Sequence, residues 1–266
     1  MPYLAQIFIY PIKSLDGVAV NQATILKSGA LQYDREFAIL DEQGRFVNGK
    51  RNSQVHLLRT SYNLEAQTVS IQIQGTEQTH IFHLIQEKAK LETWLSNFFG
   101  KTVQFQQNLL QGFPDDTNAL GPTIISTATI ETVANWFSEI SAAQMRVRLR
   151  TNLEIAEVPP FWEDQLFTES DKIIQFKIGE VQVQGINPCQ RCVVPTRDSL
   201  SGKVYPNFQK IFTAKRQETL PSWVSTSRFN HFYRLSVNTR IPESEAGKIL
   251  KIGDEVKILG MNKILS

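Results

Sequence analysis
Short apolar runs broken by turn formers recur through the first hundred residues, and that rhythm restricts the chain to a fold of many small strands. Leu4 to Tyr10 is rich in β-formers, Val18 to Leu26 alternates in part, and Glu36 to Asp41 is a nearly continuous apolar run. The turn Glu42-Gln43-Gly44 leads into Arg45-Phe46-Val47, and Val55 to Arg59 and Tyr62-Asn63-Leu64 continue the series. In Val69 to Gln74 the alternation Val69, Ile71, Ile73 is strict, which places these side chains on one face of a strand. Strands at this spacing predict a β-barrel or sandwich. One segment breaks the pattern. Leu91, Trp94, Leu95 and Phe98 fall at i, i+3, i+4 and i+7, which predicts a helix over Lys88 to Phe99, with Gly100 ending it.

The stretch from Gln111 to Asp116 reads as a loop and sets the expected boundary between domains at 1–115 and 116–266. Beyond it, Thr123 to Ser126 reads as a strand running into a helix with Ile130, Val133, Ala134 and Phe137 on one face. Ser126, Thr127 and Thr129 crowd the start of that helix, where hydroxyls cap free amides and where anions also bind. Arg146 to Asn152 alternates arginine with other residues and reads as a strand with one cationic face. Such a face repels itself unless an anion neutralises it. Lys172 to Ile178 and Glu180 to Ile186 predict a hairpin across Gly179, and Phe208 to Arg216 a short helix. His231 to Val237 and Glu255 to Leu259 complete the strands.

The only two cysteines lie in Asn187-Pro188-Cys189-Gln190-Arg191-Cys192-Val193-Val194-Pro195-Thr196-Arg197-Asp198. Neighbouring cations favour the thiolate, the form that ligates metal or attacks, and a soft sulfur suits a soft metal carried by an anionic cofactor. A thioredoxin-like pair requires the motif at a helix start, whereas Val193-Val194-Pro195 predicts extended chain. A zinc site requires about four ligands, and only His231 follows among the histidines. The stretch favours one working cysteine over a paired site. Two cysteines exclude a disulfide scaffold. A net charge of +2 without a basic, aromatic-interleaved run sets nucleic acid aside. No apolar run reaches the length of a membrane span and the N-terminus lacks a signal-peptide pattern, so the expectation is a cytoplasmic protein. Basic residues also stand at turns, in Tyr10-Pro11-Ile12-Lys13-Ser14, Tyr33-Asp34-Arg35 and Gly49-Lys50-Arg51-Asn52. Together with the arginines at 146–150 they could clasp a phosphate-bearing ligand.

These motifs, with Arg148-Leu149-Arg150-Thr151-Asn152, Thr196-Arg197-Asp198, Ser201-Gly202 and Ile252-Gly253-Asp254-Glu255-Val256, resemble the MOSC-domain proteins that carry an N-terminal β-barrel. The amidoxime-reducing molybdenum enzymes are the group most resembled. The resemblance implies a mainly β fold with a few helices (α+β), an N-terminal β-barrel-like domain preceding a MOSC β-barrel. It implies the molybdenum cofactor (Mo-molybdopterin), with Cys192 as metal ligand and no such role for Cys189. Lys13, Ser14, Arg35, Ser126, Thr127, Arg150 and Asn152 fall at cofactor-contacting positions and Arg191 flanks one, while Lys50 and Arg51 of the basic loop and Arg148 of the arginine stretch are further cofactor-binding candidates. Thr151 departs from the family, many members of which carry proline there. Glu163 and Asp164 match an acidic pair and are candidate proton carriers, with solvated loop carboxylates as the alternative. The implied activity is reduction of small N-hydroxylated substrates, hydroxylamines and amidoximes. Electrons would come from a separate flavoprotein reductase, haem protein or ferredoxin, because the chain has neither a GxGxxG fingerprint nor an iron–sulfur cysteine cluster. Pyridoxal phosphate binding is a further family-level association. The alternatives are a carrier or sulfur-transfer protein for the cofactor and a thiol oxidoreductase using Cys189 and Cys192.

Overall fold
The computed structural model describes residues 1–263. In chain order the elements are β1 (Tyr3–Ile9), β2 (Val18–Val20), β3 (Gln22–Thr24), β4 (Phe37–Asp41), β5 (Leu58–Asn63), β6 (Thr68–Ile73), β7 (Thr79–His83), α1 (Lys88–Phe99), β8 (Val103–Gln107), β9 (Ile124–Ser126), α2 (Thr127–Ala134), α3 (Ala142–Leu149), β10 (Leu153–Ala156), β11 (Lys172–Ile178), β12 (Val181–Gln190), α4 (Phe208–Glu218), β13 (Arg234–Arg240), β14 (Ile249–Lys251) and β15 (Val256–Lys263). The fold is mainly β with a few helices. Eight strands pair in the order β15-β11-β12-β13-β9-β10-β1-β2, an open sheet with β15 and β2 at its ends. β14 pairs β3, β4 pairs β8, and β5, β6 and β7 form a meander.

The helix over 88–99 forms as the periodicity predicts. Leu91 and Leu95 are fully buried, and Gly100 closes the helix in the left-handed region at φ 64°. Its apolar face packs on the strict alternation of β6, Val69 and Ile71, and on the stacked rings of Phe37 and Phe105, 5.0 Å apart. This small core belongs to the first half. A second core lies under the large sheet, where Leu4, Ile7 and Ile9 of β1 pack with Ile124, Leu153, Phe176 and Val183. The expected division at 115/116 therefore does not separate two sheets. β1 pairs β10 and β3 pairs β14, so the first strands belong to sheets completed by the second half.

Several expectations differ from the structure, among them α2, which ends at Ala134 short of Phe137, and β13, which begins at Arg234 and not at His231. Arg146 to Leu149 is the end of α3, not a cationic strand. Ser141 caps the helix, and a reciprocal capping box with Gln144 fixes its start. The helix stops at Arg150, whose backbone is left-handed, and the strand begins only at Leu153. Val193 to Pro195 is not extended, since Val194–Thr196 forms a 3₁₀ turn closed by Thr196 N donating to Val193 O. In Val55 to Arg59, Ser53–Leu57 is likewise 3₁₀ before β5 begins.

Gly185 lets the 3₁₀ turn Trp162–Leu166 lie directly on β12. A Cβ there would fall 1.5 Å from Leu166 O, a clash with backbone that no rotamer relieves. We expect Gly185→Ala to lower stability by about 3 kcal/mol or more, read as a shift in the urea midpoint. An unchanged midpoint would mean that the turn can lift off the sheet without cost.

Candidate functional site
Segments around the large sheet, together with residues of β12 and β13, line a cavity of about 620 Å³, within the usual size range of small-ligand sites. Its wall is assembled from distant segments. Lys13 and Ser14 follow β1, and Asp34 and Arg35 precede β4. Asn48, Lys50 and His56 come from the next turn, and Asp115 from the loop before β9. Arg148 comes from the end of α3, Arg150 and Asn152 from the link between α3 and β10, and Cys189, Arg191 and Cys192 from the end of β12. Nine lysines and arginines line the cavity against four aspartates, an excess of five positive charges.

Ser14, Arg35 and Arg150 all sit in the left-handed backbone region, at φ 74°, 51° and 53°. A non-glycine residue there costs about 1–3 kcal/mol, so the surrounding structure holds three cavity residues against their own preference. Around Arg35 the reason is visible. Its guanidinium pairs with Asp34 and donates to Asn152 Oδ1 at 3.3 Å. Asp34 also accepts Tyr10 N at 2.9 Å. Asn152 is a clip, since its Oδ1 accepts Thr123 N and Thr123 Oγ1 and its Nδ2 donates to Phe8 O. Burial lowers the basicity of Arg35, but the Asp34 carboxylate outweighs that and raises its pKa.

Arg150 differs. Its guanidinium lies over the Tyr10 ring at 4.2 Å and makes no ion pair among the described residues. Burial and then Arg35 push its pKa down, with Tyr10 opposing between them. Burial also pushes the Tyr10 phenol up to about 12, so Tyr10 stays neutral and donates to Thr151 O at 3.2 Å. Lys13 donates to Phe113 O at 2.8 Å and to Asp115 at 2.9 Å, and burial lowers its pKa. Desolvation pushes Asp115 up, but Lys13, Lys50 and Arg35 together hold its carboxyl well below the usual range. His56 lines the same cavity with Nε2 3.4 Å from Gly49 O, and burial lowers its pKa.

The two cysteines are free and half-buried, and both line the cavity. Val194 N donates to Cys192 Sγ at 3.5 Å. Arg191 donates to Cys189 Sγ at 3.5 Å, to Ser236 Oγ at 3.4 Å and to Leu149 O, while its buried Nε has no partner. Arg148 is turned to a structural task. It grips Pro195 O at 3.1 Å and Arg197 O, and reaches Asp198 at 3.4 Å, which holds the segment after Cys192 in place.

Not every expected residue arrives here. Arg51 is exposed and outside the cavity wall, while Lys50 reaches it and lies 3.5 Å from Asp115. Ser126 is fully buried and caps α2 through Thr129 N, and Thr127 begins that helix; neither lines the cavity. Glu163 and Asp164 are buried, not solvated loop carboxylates, and neither lines the cavity. Glu163 accepts Ser126 N at 3.2 Å and Thr129 Oγ1 at 3.0 Å, and Asp164 pairs with the buried Arg216 at 2.5 Å. Their chemistry serves the interior. Sequence reading missed Tyr10, Asp115 and His56 as parts of the site. Tyr10 directly precedes the Pro11-Ile12-Lys13-Ser14 turn and could have been found from it, whereas nothing local marks the other two.

The donor set suits an anion that carries a soft metal. Among the described residues Arg150 makes no ion pair, and the buried Nε atoms of Arg191 and Arg197 have no hydrogen-bond partner. Among the described residues no group of three or more His, Cys, Asp or Glu side chains is placed to hold a metal ion. A metal at Cys192 must therefore bring its other ligands with it. No helix among the described residues is long and apolar enough to cross a membrane.

Comparison with known proteins gives the family. The MOSC N-terminal beta barrel domain matches residues 1–144, and the MOSC domain matches residues 123–257. A molybdenum cofactor sulfurase of Bos taurus is 23% identical, with 78% of this chain and 28% of that protein covered. Its Danio rerio counterpart is 26% identical, covering 71% and 27%. Mitochondrial amidoxime reducing component 2 of Bos taurus is 24% identical, covering 76% and 68%. The chain thus spans a little over a quarter of the length of the sulfurases it matches. With both domains matched in order along one continuous sheet, the chain belongs to the MOSC family.

Proposed function
We propose that this protein is a molybdenum-cofactor-dependent reductase of small N-hydroxylated compounds, hydroxylamines and amidoximes, fed with electrons by a separate redox protein. The observation that carries this reading is one cavity holding both a free thiol, Cys192, and a half-buried cation, Arg150, that makes no ion pair among the described residues. Relatives named as amidoxime reducing components support it.

Cys192 would ligate the metal. Lys13, Ser14, Arg35, Arg150 and Arg191 would hold the anionic pterin, with Lys50 at the mouth and Asn152 fixing Arg35. When bound, the molybdenum centre supplies the two-electron cleavage of the N–O bond. The chain supplies placement, exclusion of water and protons. With Nε2–H donating to Gly49 O, Nδ1 of His56 is the basic atom and can exchange a proton with the cavity. The rigid left-handed positions of Ser14, Arg35 and Arg150 keep the cradle preformed, so that little binding energy is lost to ordering it.

The cofactor-carrier reading keeps one specific support, the matches to molybdenum cofactor sulfurases. One experiment separates the two. Protein from a cofactor-competent host is assayed for molybdenum and pterin, then mixed with an amidoxime and either reduced viologen or NADPH. We expect bound cofactor, turnover with viologen and none with NADPH alone. Cofactor without viologen-driven turnover would favour the carrier, and no cofactor would overturn both. In the same assay Arg150→Ala should lose cofactor on dialysis about 10- to 100-fold more readily, the worth of one charge-assisted hydrogen bond, with little change in folding.

A further inference from the structure
Two turns from distant parts of the sequence meet at the cavity mouth. The 48–56 turn carries Lys50 and Arg51, and the 197–204 turn carries Arg197, Leu200, Lys203 and Val204. They are in contact, since a Cβ on Gly202 would lie 3.1 Å from Ser53 O and 3.4 Å from His56 Cβ. The second turn is firmly built. Asp198 accepts Leu200 N and Ser201 N at 3.2 and 2.9 Å, and its own N donates to Lys203 O at 2.7 Å. In the second turn Leu200 is 47% and Val204 57% exposed. Arg51, Arg197 and Lys203 make no ion pair among the described residues, and Lys50 has only its 3.5 Å contact with Asp115.

We propose that this rim is the docking surface for a small acidic one-electron carrier protein. The proposal rests on the reductase reading. Two exposed apolar side chains beside three basic residues that make no ion pair among the described residues, Arg51, Arg197 and Lys203, fit a transient protein contact, and the basic residues steer an acidic partner toward the mouth. Because the turns are already ordered, docking costs little rearrangement. The position fits the need, since a carrier seated here stands over the cavity that Cys192 lines. Two reduced carriers each give up one electron. One N-hydroxyl compound takes both, with two protons, and leaves as the amine and water. A bilayer fits less well, because the exposed apolar side chains of the turn are one leucine and one valine, with no aromatic between them.

The test uses the cofactor-loaded protein, a plant-type [2Fe–2S] ferredoxin as the acidic carrier, and the variants Lys203→Glu and Val204→Ser, neither of which lines the cavity. Ferredoxin binding is followed by interferometry at low and high salt, and turnover by reduced ferredoxin and by reduced viologen. We expect salt-sensitive binding that weakens about tenfold in Lys203→Glu, with the KM for ferredoxin rising in step and the viologen rate unchanged. Intact viologen turnover with ferredoxin binding indifferent to both substitutions overturns the docking surface alone. A wild type without viologen turnover overturns the reductase reading and this proposal together. Binding to phosphatidylglycerol vesicles that Lys203→Glu abolishes, with ferredoxin binding unaffected, assigns the rim to a membrane and overturns it as well.

Discussion

We expect alanine at Cys192 to give a folded protein without molybdenum and without viologen-driven turnover, and alanine at Cys189 to keep most of both. Cys192 Sγ makes a single weak contact, from Val194 N at 3.5 Å, and the residue is half-buried. Removing it costs the fold about 1 kcal/mol or less. The cavity offers no second protein cluster to hold a metal among the described residues, so the activity should fall by roughly a hundredfold or more, at least about 2.7 kcal/mol in the barrier. Cys189 is tied instead to Arg191, which keeps Leu149 O and Ser236 Oγ when the sulfur goes. Metal content, pterin content and rate are measured on both variants. Equal loss in the two would point to a dithiol reaction and against the single-ligand reading.

The second large effect is on folding. Asp164→Ala strands the guanidinium of Arg216, which is fully buried and pairs with Asp164 at 2.5 Å. Arg216 also lies over Phe161 at 4.7 Å and Phe229 at 5.3 Å, and its Nε donates to Arg234 O, so it cannot swing out to water. Breaking such a pair costs about 3–5 kcal/mol, a large share of the roughly 5–15 kcal/mol that is typical of a whole protein. The urea midpoint should drop accordingly, and adding Arg216→Met should recover part of the loss. A small drop in the single variant would show that the pair is wetter than its burial implies.

Glu163 beside it supplies a pH dependence. Burial, and then the neighbouring Asp164 charge, push its carboxyl from 4.5 up to about 7. The folded value exceeds the unfolded one, so the fold holds the proton more tightly. This contribution to stability is present below pH 4.5 and is lost as pH rises through about 7. Glu163→Gln should therefore gain on the wild type across that window in urea titrations. A constant difference between the two would contradict the assignment.

These interior acids also show where the sequence stops being legible. Glu163 and Asp164 sit in a polar-looking stretch after Pro159-Pro160-Phe161-Trp162, and only the arrival of Arg216, 52 residues after Asp164, makes them core residues. Helix α1 is readable because its periodicity and its Gly100 stop are local, as is the hairpin of β11 and β12. Helix α3 is not, because its alternating arginines imitate a strand and mask the capping box at Ser141 and Gln144. Most of the cationic wall can be read from basic residues at turns, since each announces itself beside a strand end. Asp115 cannot, because its meaning depends on Lys13, about a hundred positions away.

The strand pairing sets an order on the life of the molecule. Leu4 of β1 pairs with Ile155, and Ala23 of β3 pairs with Leu250. At roughly 5–20 residues per second, a ribosome needs on the order of 10–30 s after making β1 to deliver its partner, and longer to deliver that of β3. The early strands must wait, exposed, while their partners are made, which is a window for chaperones. Lys13 and Cys192 reach the same cavity only when both flanks of the sheet have been synthesised. A ligand of that cavity can therefore meet the complete wall only after the chain has been made past Cys192.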